Sequence, residues 1–365
     1  MKKLVFIYPY LTSYIVPVIK GLVESQKICI DMLYGYLPQG MGFNEDEHFK
    51  NPNIRWIKVK EYKPFGNHFG MFQKGVITHI IKTHPDIILI WANPRYLSFW
   101  AVMLIGKLMK IPVYPRGHGL FKKKHIGILQ ILEYKTILSL SSKYICYTPK
   151  VKQSLDSFGK YTNKLVVDFN TIYNECPVIP LEKKGNEKGI FYIGRIRENC
   201  GIQVLIEAIS QINSNNKKNI ELFIIGDGQS GEYIKEIATQ QQWIHYYGRV
   251  FDNKQINEIS RECRFGCVPG FMGLNVVHMM SLSLPVITHR ELKKHMGPEP
   301  EYIQHNKNGW LIDKPNDVFL LTNLLKSVWE ITTKDMLEIQ FNAFMTYKLL
   351  SDPPLHERLL QILEI

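Results

Sequence analysis

Glycines and a predicted amphipathic helix follow one another closely in residues 269–288. Gly270 and Gly273 allow the backbone to come close to a ligand, and Phe271 and Met272 complete the turn between them. A helix that begins near Leu274 would direct its first free N–H groups at an anion. The pattern predicts a binding site for the phosphate of a nucleotide or of a sugar phosphate.

Three further turns follow apolar segments that we predict to be strands. They contain Gly194 and Arg195, then Gly226 and Gly228, then Gly248 and Arg249. Open α/β sheets bind ligands outside the carboxyl ends of their strands, where these residues would lie. Residues 226–231 also match G-x-G-x-x-G, which is typical of dinucleotide-binding proteins. That fingerprint normally opens a domain at its first strand, whereas this one follows a second βα unit, so its position counts against an NAD-binding site.

These segments resemble the landmarks of retaining glycosyltransferases of family 4. The residues that carry the resemblance are Gly194-Arg195, Gly201, Leu205-Ile206, Ala208, Gly273-Leu274, Met280 and Pro285-Val286-Ile287. The resemblance implies a GT-B architecture, in which two Rossmann-like domains face each other across a cleft and a C-terminal helix crosses back to the first domain. It also implies that Arg195 binds the donor diphosphate and favours its departure, and that the backbone near Gly248 borders the nucleobase.

The chain departs from the family pattern at three donor-site positions. The two glutamates that the family keeps eight residues apart fall on Gly270 and His278, and the usual lysine falls on Cys200. An imidazole can make one hydrogen bond to a ribose hydroxyl, so we expect either this role or simple packing for His278. Arg197 is the candidate replacement for the lysine. We expect ordinary packing at the start of a helix for Cys200.

Two acidic residues and one histidine complete the candidate site. Glu301 matches the P-E turn of the family, and the neighbouring Glu299 is a second candidate for the missing carboxylate. His118 lies in Arg116-Gly117-His118-Gly119 after a predicted strand at 111–114, where the family often has H-G near the donor sugar and the acceptor. With Arg195, His118 is our candidate catalytic residue. The family's glycine-rich loop after the first strand is replaced by aromatic and hydroxyl residues from Tyr8 onward.

The elements that position these residues alternate between strand and helix along the chain. Alternation of this kind favours doubly wound parallel sheets. We predict an N-terminal Rossmann-like acceptor-binding domain at 1–175, a linker at 176–189, a C-terminal Rossmann-like donor-binding domain at 190–345 and a helical crossover at 346–365. A length of 365 residues with 45% hydrophobic content is sufficient for two cores.

The net charge of +12 is held by the first half of the chain. Residues 1–170 contain 24 Lys and Arg against 10 Asp and Glu, and the remainder contains 21 against 23. Candidate basic patches are Lys107/Lys110, Lys122-Lys123-Lys124 and Lys150/Lys152. They would attract an anionic membrane surface or a lipid-linked diphosphate, or would serve only as a solvated face. No nucleic-acid-binding module accompanies the charge, so we expect no nucleic-acid partner.

The hydrophobic pattern and the cysteine spacing indicate in which cell compartment the protein would occur. No apolar stretch approaches the roughly 18 residues of a membrane-spanning helix, and we interpret the first residues as a buried strand rather than a secretory signal. The six cysteines show neither paired C-x-x-C spacing nor a nearby histidine pair, which disfavours metal sites and disulfides. We therefore expect a cytoplasmic protein, peripheral at the inner face of the plasma membrane, with no metal and no cofactor.

These observations lead to one functional expectation with two alternatives. The resemblance implies a retaining, metal-independent glycosyltransferase that moves a sugar from a nucleotide-sugar, UDP-linked rather than GDP-linked, to a lipid-linked or polysaccharide acceptor of bacterial surface glycans. The first alternative is a catalytically silent nucleotide-sugar binding protein, which would explain the changes at Gly270, His278 and Cys200. The second is a nucleotide-sugar epimerase of GT-B architecture, which would act on the donor without an acceptor.

Overall fold

Continuous apolar segments form the central strands of two parallel sheets in the computed structural model, which describes residues 1–36, 48–64, 66, 70–122, 126–183, 185–216 and 219–365. Of the predicted Lys122-Lys123-Lys124 patch, Lys123 and Lys124 lie outside the described residues. The chain divides into two units, the first comprising Met1–Tyr173 with Pro353–Ile365 and the second comprising Asn174–Asp352.

The first unit contains a seven-stranded parallel sheet with the order β3-β2-β1-β6-β7-β8-β9. Its strands, together with a short antiparallel β4-β5 pair, are β1 (Lys2–Tyr10), β2 (Ile28–Gly35), β3 (Ile54–Lys58), β4 (Glu61–Tyr62), β5 (Phe72–Gln73), β6 (Ile87–Trp91), β7 (Val113–Gly117), β8 (Tyr144–Cys146) and β9 (Leu165–Val167). Its connecting helices are α1 (Val16–Glu24), α2 (Val76–Thr83), α3 (Leu97–Met109), α4 (Ile128–Leu140) and α5 (Pro149–Asp156). Fully buried residues such as Val5 and Ile88 explain why β1 and β6 are apolar throughout.

The second unit contains a six-stranded parallel sheet with the order β12-β11-β10-β13-β14-β15. Its strands are β10 (Gly189–Ile193), β11 (Glu221–Ile225), β12 (Ile244–Tyr246), β13 (Cys263–Cys267), β14 (Val286–His289) and β15 (Gly309–Ile312). Its helices are α6 (Ile202–Asn216), α7 (Gly231–Gln240), α8 (Asn253–Arg261), α9 (Asn275–Ser281), α10 (Val318–Trp329) and α11 (Thr333–Ser351). In both units the strand order reverses beside the first strand, as in a Rossmann fold. The predicted α/β class is confirmed.

The last helix, α12 (Leu355–Ile362), belongs to the first unit. Leu359 and Leu360 share a hydrophobic cluster with Ile19 and Leu22 of α1, so apolar burial holds the C-terminus there. We predicted a helical crossover at 346–365, and the part of this segment that belongs to the first unit is Pro353–Ile365.

Much of the segment predicted as a linker is bonded to the second unit. The Val178 N–H donates to the Ser281 carbonyl at 3.0 Å. The buried Lys183 donates from Nζ to the carbonyls of Ser260 at 2.6 Å and Cys263 at 3.1 Å. These bonds satisfy buried polar groups and attach Val178 and Lys183 to the second unit.

One helix boundary has a local cause, and one predicted strand boundary differs from the structure. Helix α2 begins at Val76 because Gly75 adopts a φ of 91°, which a continuing helix does not allow. We predicted the strand at 111–114, whereas β7 spans Val113–Gly117 and includes Arg116. In the part of the chain that is described, no helix is both long and apolar enough to cross a bilayer.

Candidate functional site

The backbones of three turns at the carboxyl ends of β10, β11 and β12 are hydrogen-bonded to one another. The Gly194 N–H donates to the Ile225 carbonyl at 3.0 Å, and the Gly226 N–H donates to the Gly248 carbonyl at 2.7 Å. A Cβ on Gly226 would lie 1.9 Å from the Gly194 carbonyl oxygen, so only glycine allows this approach. The predicted glycines at 194, 226, 228 and 248 therefore line one edge of the second sheet.

The two arginines beside these turns differ in their surroundings. Arg249 forms an ion pair from Nε to Asp227 Oδ2 at 2.9 Å, and Asp227 Oδ1 also accepts the Gly228 N–H at 2.7 Å. Arg195 is half-buried at the end of β10, and its Cγ would lie 3.3 Å from a Cβ on Gly228. Arg195 thus lies among the glycine turns, while Arg249 fixes the turn after β11.

The turn at 270–274 is packed tightly against residues 199–201. The Phe271 N–H donates to the Asn199 carbonyl at 2.8 Å. A Cβ on Gly270 would lie 2.2 Å from that same carbonyl oxygen. The position where the family has a glutamate therefore has no space for a side chain in this chain. Met272 accepts at its carbonyl oxygen from the Met296 N–H at 2.7 Å, which fixes the other side of the turn.

Asn275, which the sequence analysis did not single out, connects this turn to β10. Its Nδ2 donates to the Ile193 carbonyl at 3.0 Å, and its Oδ1 accepts the Gly273 N–H at 2.9 Å. We predicted a helix that begins near Leu274, and α9 spans Asn275–Ser281. The Gly273 N–H of the preceding turn is bonded to Asn275, so it is not one of the N–H groups that an anion could use.

Two residues that could replace the missing lysine and carboxylate lie beside the same turn. Arg197 donates from Nη1 to the Met296 sulfur at 3.6 Å, and Met296 is itself bonded to Met272. Glu299 is buried, and its Oε2 would lie 3.9 Å from a Cβ on Gly273. Glu301 lies in the same 3-10 turn, Glu299–Tyr302, and is half-buried. Cys200 is buried, as expected for a packing residue.

His278 is a half-buried side chain on α9. Burial lowers its pKa to about 4, so the imidazole is neutral at physiological pH. Its ring forms no hydrogen bond with a described residue. A neutral imidazole has one donor and one acceptor nitrogen, which is what binding a sugar hydroxyl requires.

A pair of stacked histidines lies near the 270–274 turn. The rings of His289 and His295 stack with centroids 3.8 Å apart, and both side chains are buried. His295 Nε2 donates to the His289 carbonyl at 2.9 Å, which fixes the tautomer of that ring. Burial and the nearby His295 and Lys294 lower the pKa of His289 to about 3. No sequence pattern pointed to this stacked pair.

In the first unit, polar groups gather at the carboxyl ends of β1, β7, β8 and β9. Arg116 is buried, pairs with Asp168 and donates from Nη2 to Asn170 Oδ1 at 2.7 Å. Its guanidinium carbon lies 4.4 Å from the centroid of the Tyr147 ring. Arg116 lies within β7, beyond the strand boundary that we predicted, and Asp168 neutralises its charge there.

His118 is the histidine of this cluster. Its ring packs edge-on against Tyr147 with centroids 4.6 Å apart, and its buried Nδ1 has no hydrogen-bond partner among the described residues. Burial and the positive charges of Lys122 and Arg116 lower its pKa to about 3. A neutral ring at this edge can accept a hydrogen bond from a hydroxyl group or donate one to it.

The comparison with known proteins bears first on the second unit. Residues 187–329 match the family model described as glycosyl transferases group 1. No curated protein matches the sequence significantly. The match lies within the second unit, and it agrees with the glycine turns and the resemblance found in the sequence.

Solved structures extend the likeness to the whole chain. HepE from Anabaena in complex with UDP and glucose is similar with a TM-score of 0.66 at 15% identity, over 100% of this chain and 99% of that one. TarM from S. aureus in complex with UDP gives 0.68 at 11% identity over 100% of both chains. The lipopolysaccharide outer core galactosyltransferase WaaB gives 0.62 at 15% identity, over 96% and 99%. The chain therefore has the GT-B fold of two Rossmann-like domains.

Proposed function

We propose that the protein is a retaining glycosyltransferase that takes a sugar from a UDP-sugar and transfers it to a glycan or lipid-linked glycan of the bacterial surface. The observation that carries the proposal is the set of bonded turns at 194, 226, 248 and 270–274, with Arg195 among them. This edge offers backbone groups and positive charge for a diphosphate. In support, solved structures of the same fold contain UDP, and one is a lipopolysaccharide galactosyltransferase.

In this proposal two arginines stabilise the leaving group. Arg195 at the end of β10 and Arg197 beside the 270–274 turn stabilise the negative charge that grows on the departing diphosphate. A metal ion is not needed for this role when two guanidinium groups supply the charge. Departure and attack on the same face of the sugar, with the leaving phosphate accepting the proton of the acceptor hydroxyl, follows by analogy with family 4.

The remaining donor contacts use residues that differ from the family pattern. Neutral His278 hydrogen-bonds the ribose, and Glu299 or Glu301 supplies the carboxylate that Gly270 lacks. In the first unit, His118 contacts the reacting sugars and the aromatic residues near Tyr8 and Tyr147 face the acceptor. Aromatic side chains suit sugar faces and prenyl chains alike. We place the enzyme at the cytoplasmic face of the membrane, where lipid-linked acceptors are presented.

The test is release of UDP from a panel of UDP-sugars and GDP-sugars, with and without membrane lipid extracts. Transfer that needs both a UDP-sugar and the extract, and that is lost in Arg195→Ala with an unchanged melting temperature, supports the proposal. Isomerisation of the donor without extract would instead identify an epimerase. Donor binding without turnover under any condition would identify a silent binding protein, and normal activity of Arg195→Ala would remove the assigned phosphate site.

A further inference from the structure

Large apolar side chains are exposed along two neighbouring helices of the first unit. On α3 they are Leu97, Leu104 and Leu108, and at α4 they are Ile126, Ile128, Leu129 and Leu132. Leu108 and Leu129 are each 81% exposed, so these leucines contribute almost nothing to the core. Single exposed apolar residues are ordinary, but a contiguous group marks an interaction surface.

The fold places these side chains on one side of the first unit. Helix α3 joins β6 to β7 and α4 joins β7 to β8, and right-handed crossovers to successive strands put such helices on the same face of the sheet. The two helices pack against each other. Val102 and Met103 of α3 and Ile137 and Leu138 of α4 point into one hydrophobic cluster. The exposed stripes therefore face away from the sheet together.

Basic side chains border this apolar surface. Lys107 and Lys110 flank Leu108, and Lys135 follows Leu132 by one helical turn. All three lysines are exposed, and none forms an ion pair with a residue that the structure describes. The surface thus combines apolar side chains with the positive charge of Lys107, Lys110 and Lys135.

We propose that this surface, the α3–α4 face, docks on an anionic phospholipid bilayer. Leucines at such a face enter the boundary between headgroups and acyl chains, while lysines keep their ammonium groups among the lipid phosphates. Charge complementarity favours a membrane over a second copy of the chain, because two copies would bring the same lysines together. The inference that this surface binds a membrane does not require the proposed function. It rests on that function only for the further point that the enzyme would meet a lipid-linked acceptor there.

The experiment is flotation of the purified full chain with vesicles of phosphatidylglycerol and phosphatidylcholine, compared with vesicles of phosphatidylcholine alone. We expect binding to the anionic vesicles that weakens with salt. Leu108→Asp with Leu129→Asp should abolish it, and Lys107→Glu with Lys110→Glu should reduce it at least about tenfold, on the basis of the attraction of each lysine to an anionic surface. Melting temperatures check that the variants are folded.

Matched controls lie in the second unit, where Leu181 is 86% exposed and Leu349 is 76% exposed. Leu181→Asp and Leu349→Asp should leave vesicle binding unchanged. Loss of binding in Leu349→Asp but not in the α3–α4 variants, or absence of binding by the wild-type chain, would overturn the proposal. So would a dimer in light scattering that Leu108→Asp converts to a monomer. No donor is present in the assay, so its outcome is independent of whether the protein transfers sugars.

Discussion

The side-chain amide of Asn275 hydrogen-bonds the Ile193 carbonyl at 3.0 Å, across 82 residues of sequence. Ile193 is the last residue of β10, and Asn275 is the first residue of α9. The other end of the same amide accepts the Gly273 N–H at 2.9 Å. One side chain therefore holds the 270–274 turn in place relative to the edge of the sheet where Arg195 lies.

Asn275→Ala is expected to weaken UDP binding while leaving the fold intact. The substitution leaves a carbonyl and an N–H without their partner, a loss of about 1–3 kcal/mol in the stability of the turn if water does not replace the amide. Isothermal titration with UDP measures the effect. Asn275→Asp keeps the acceptor for Gly273 but sets a carboxylate oxygen against the Ile193 carbonyl, so an affinity no higher than that of Asn275→Ala is expected.

The control for this prediction is Asn253→Ala, at the first residue of α8. It changes the same residue type at the same helical position outside the proposed site. Equal UDP affinity in wild type and Asn275→Ala would show that the turn does not depend on this bond.

Gly270→Ala is expected to destabilise the second unit, whereas Gly273→Ala is expected to be tolerated. A Cβ at position 270 would lie 2.2 Å from the Asn199 carbonyl oxygen, while at position 273 its nearest neighbour would be 3.6 Å away. Overpacking against backbone costs roughly 1–3 kcal/mol. Denaturant unfolding of the two variants gives the comparison directly. Equal stability of the pair would mean that residues 199–201 move freely away from the turn.

Arg197→Ala is expected to lower kcat about 100-fold, the scale of losing one charge-stabilising contact in a transition state. The reason is that Arg197 lies beside the 270–274 turn through its contact with Met296, where the lysine at position 200 is missing. Arg197→Lys should recover part of the rate because it keeps the charge. Steady-state kinetics with the identified donor provides the measurement.

The matched control for Arg197 is Arg290→Ala, because Arg290 is an arginine of the second unit that pairs with Asp313 at 2.7 Å. It should leave kcat unchanged. An unaltered kcat in Arg197→Ala would return the residue to an ordinary surface role and leave the departing charge to Arg195.

The sequence predicted the parallel sheets well because buried strands such as β6 and β10 are continuously apolar. It predicted the glycine turns because each glycine closely follows an apolar strand, so the pattern lies within a few neighbouring residues. It did not indicate α4, since Ile128, Leu129 and Leu132 are exposed apolar residues that blur the helical period. The role of Asn275 and the pairing of Arg116 with Asp168 depend on partners far along the chain, which no local pattern reveals.

His278→Ala is expected to reduce the affinity for UDP-sugars by about 1 kcal/mol or more, because a ribose hydroxyl would lose its partner. Since the pKa of His278 is about 4, the wild-type affinity should not vary with the protonation of this residue between pH 6 and pH 8. His278→Asn, which also donates and accepts hydrogen bonds, should retain part of the affinity. His278→Leu should lose the whole contribution of the histidine hydrogen bond to the affinity while keeping the packing of the side chain.

The same pKa gives a prediction for stability. The folded state holds His278 neutral down to about pH 4, whereas an unfolded histidine titrates near its ordinary value of about 6.5. The unfolded chain therefore binds more protons between these values, and the stabilisation is complete above about pH 6.5 and is lost as the pH falls through 4. Unfolding by urea at pH 7 and pH 5 should show a smaller pH dependence in His278→Leu than in wild type. An identical pH dependence would mean that His278 is solvated in the folded protein, and the ribose contact would then have to be tested by affinity alone.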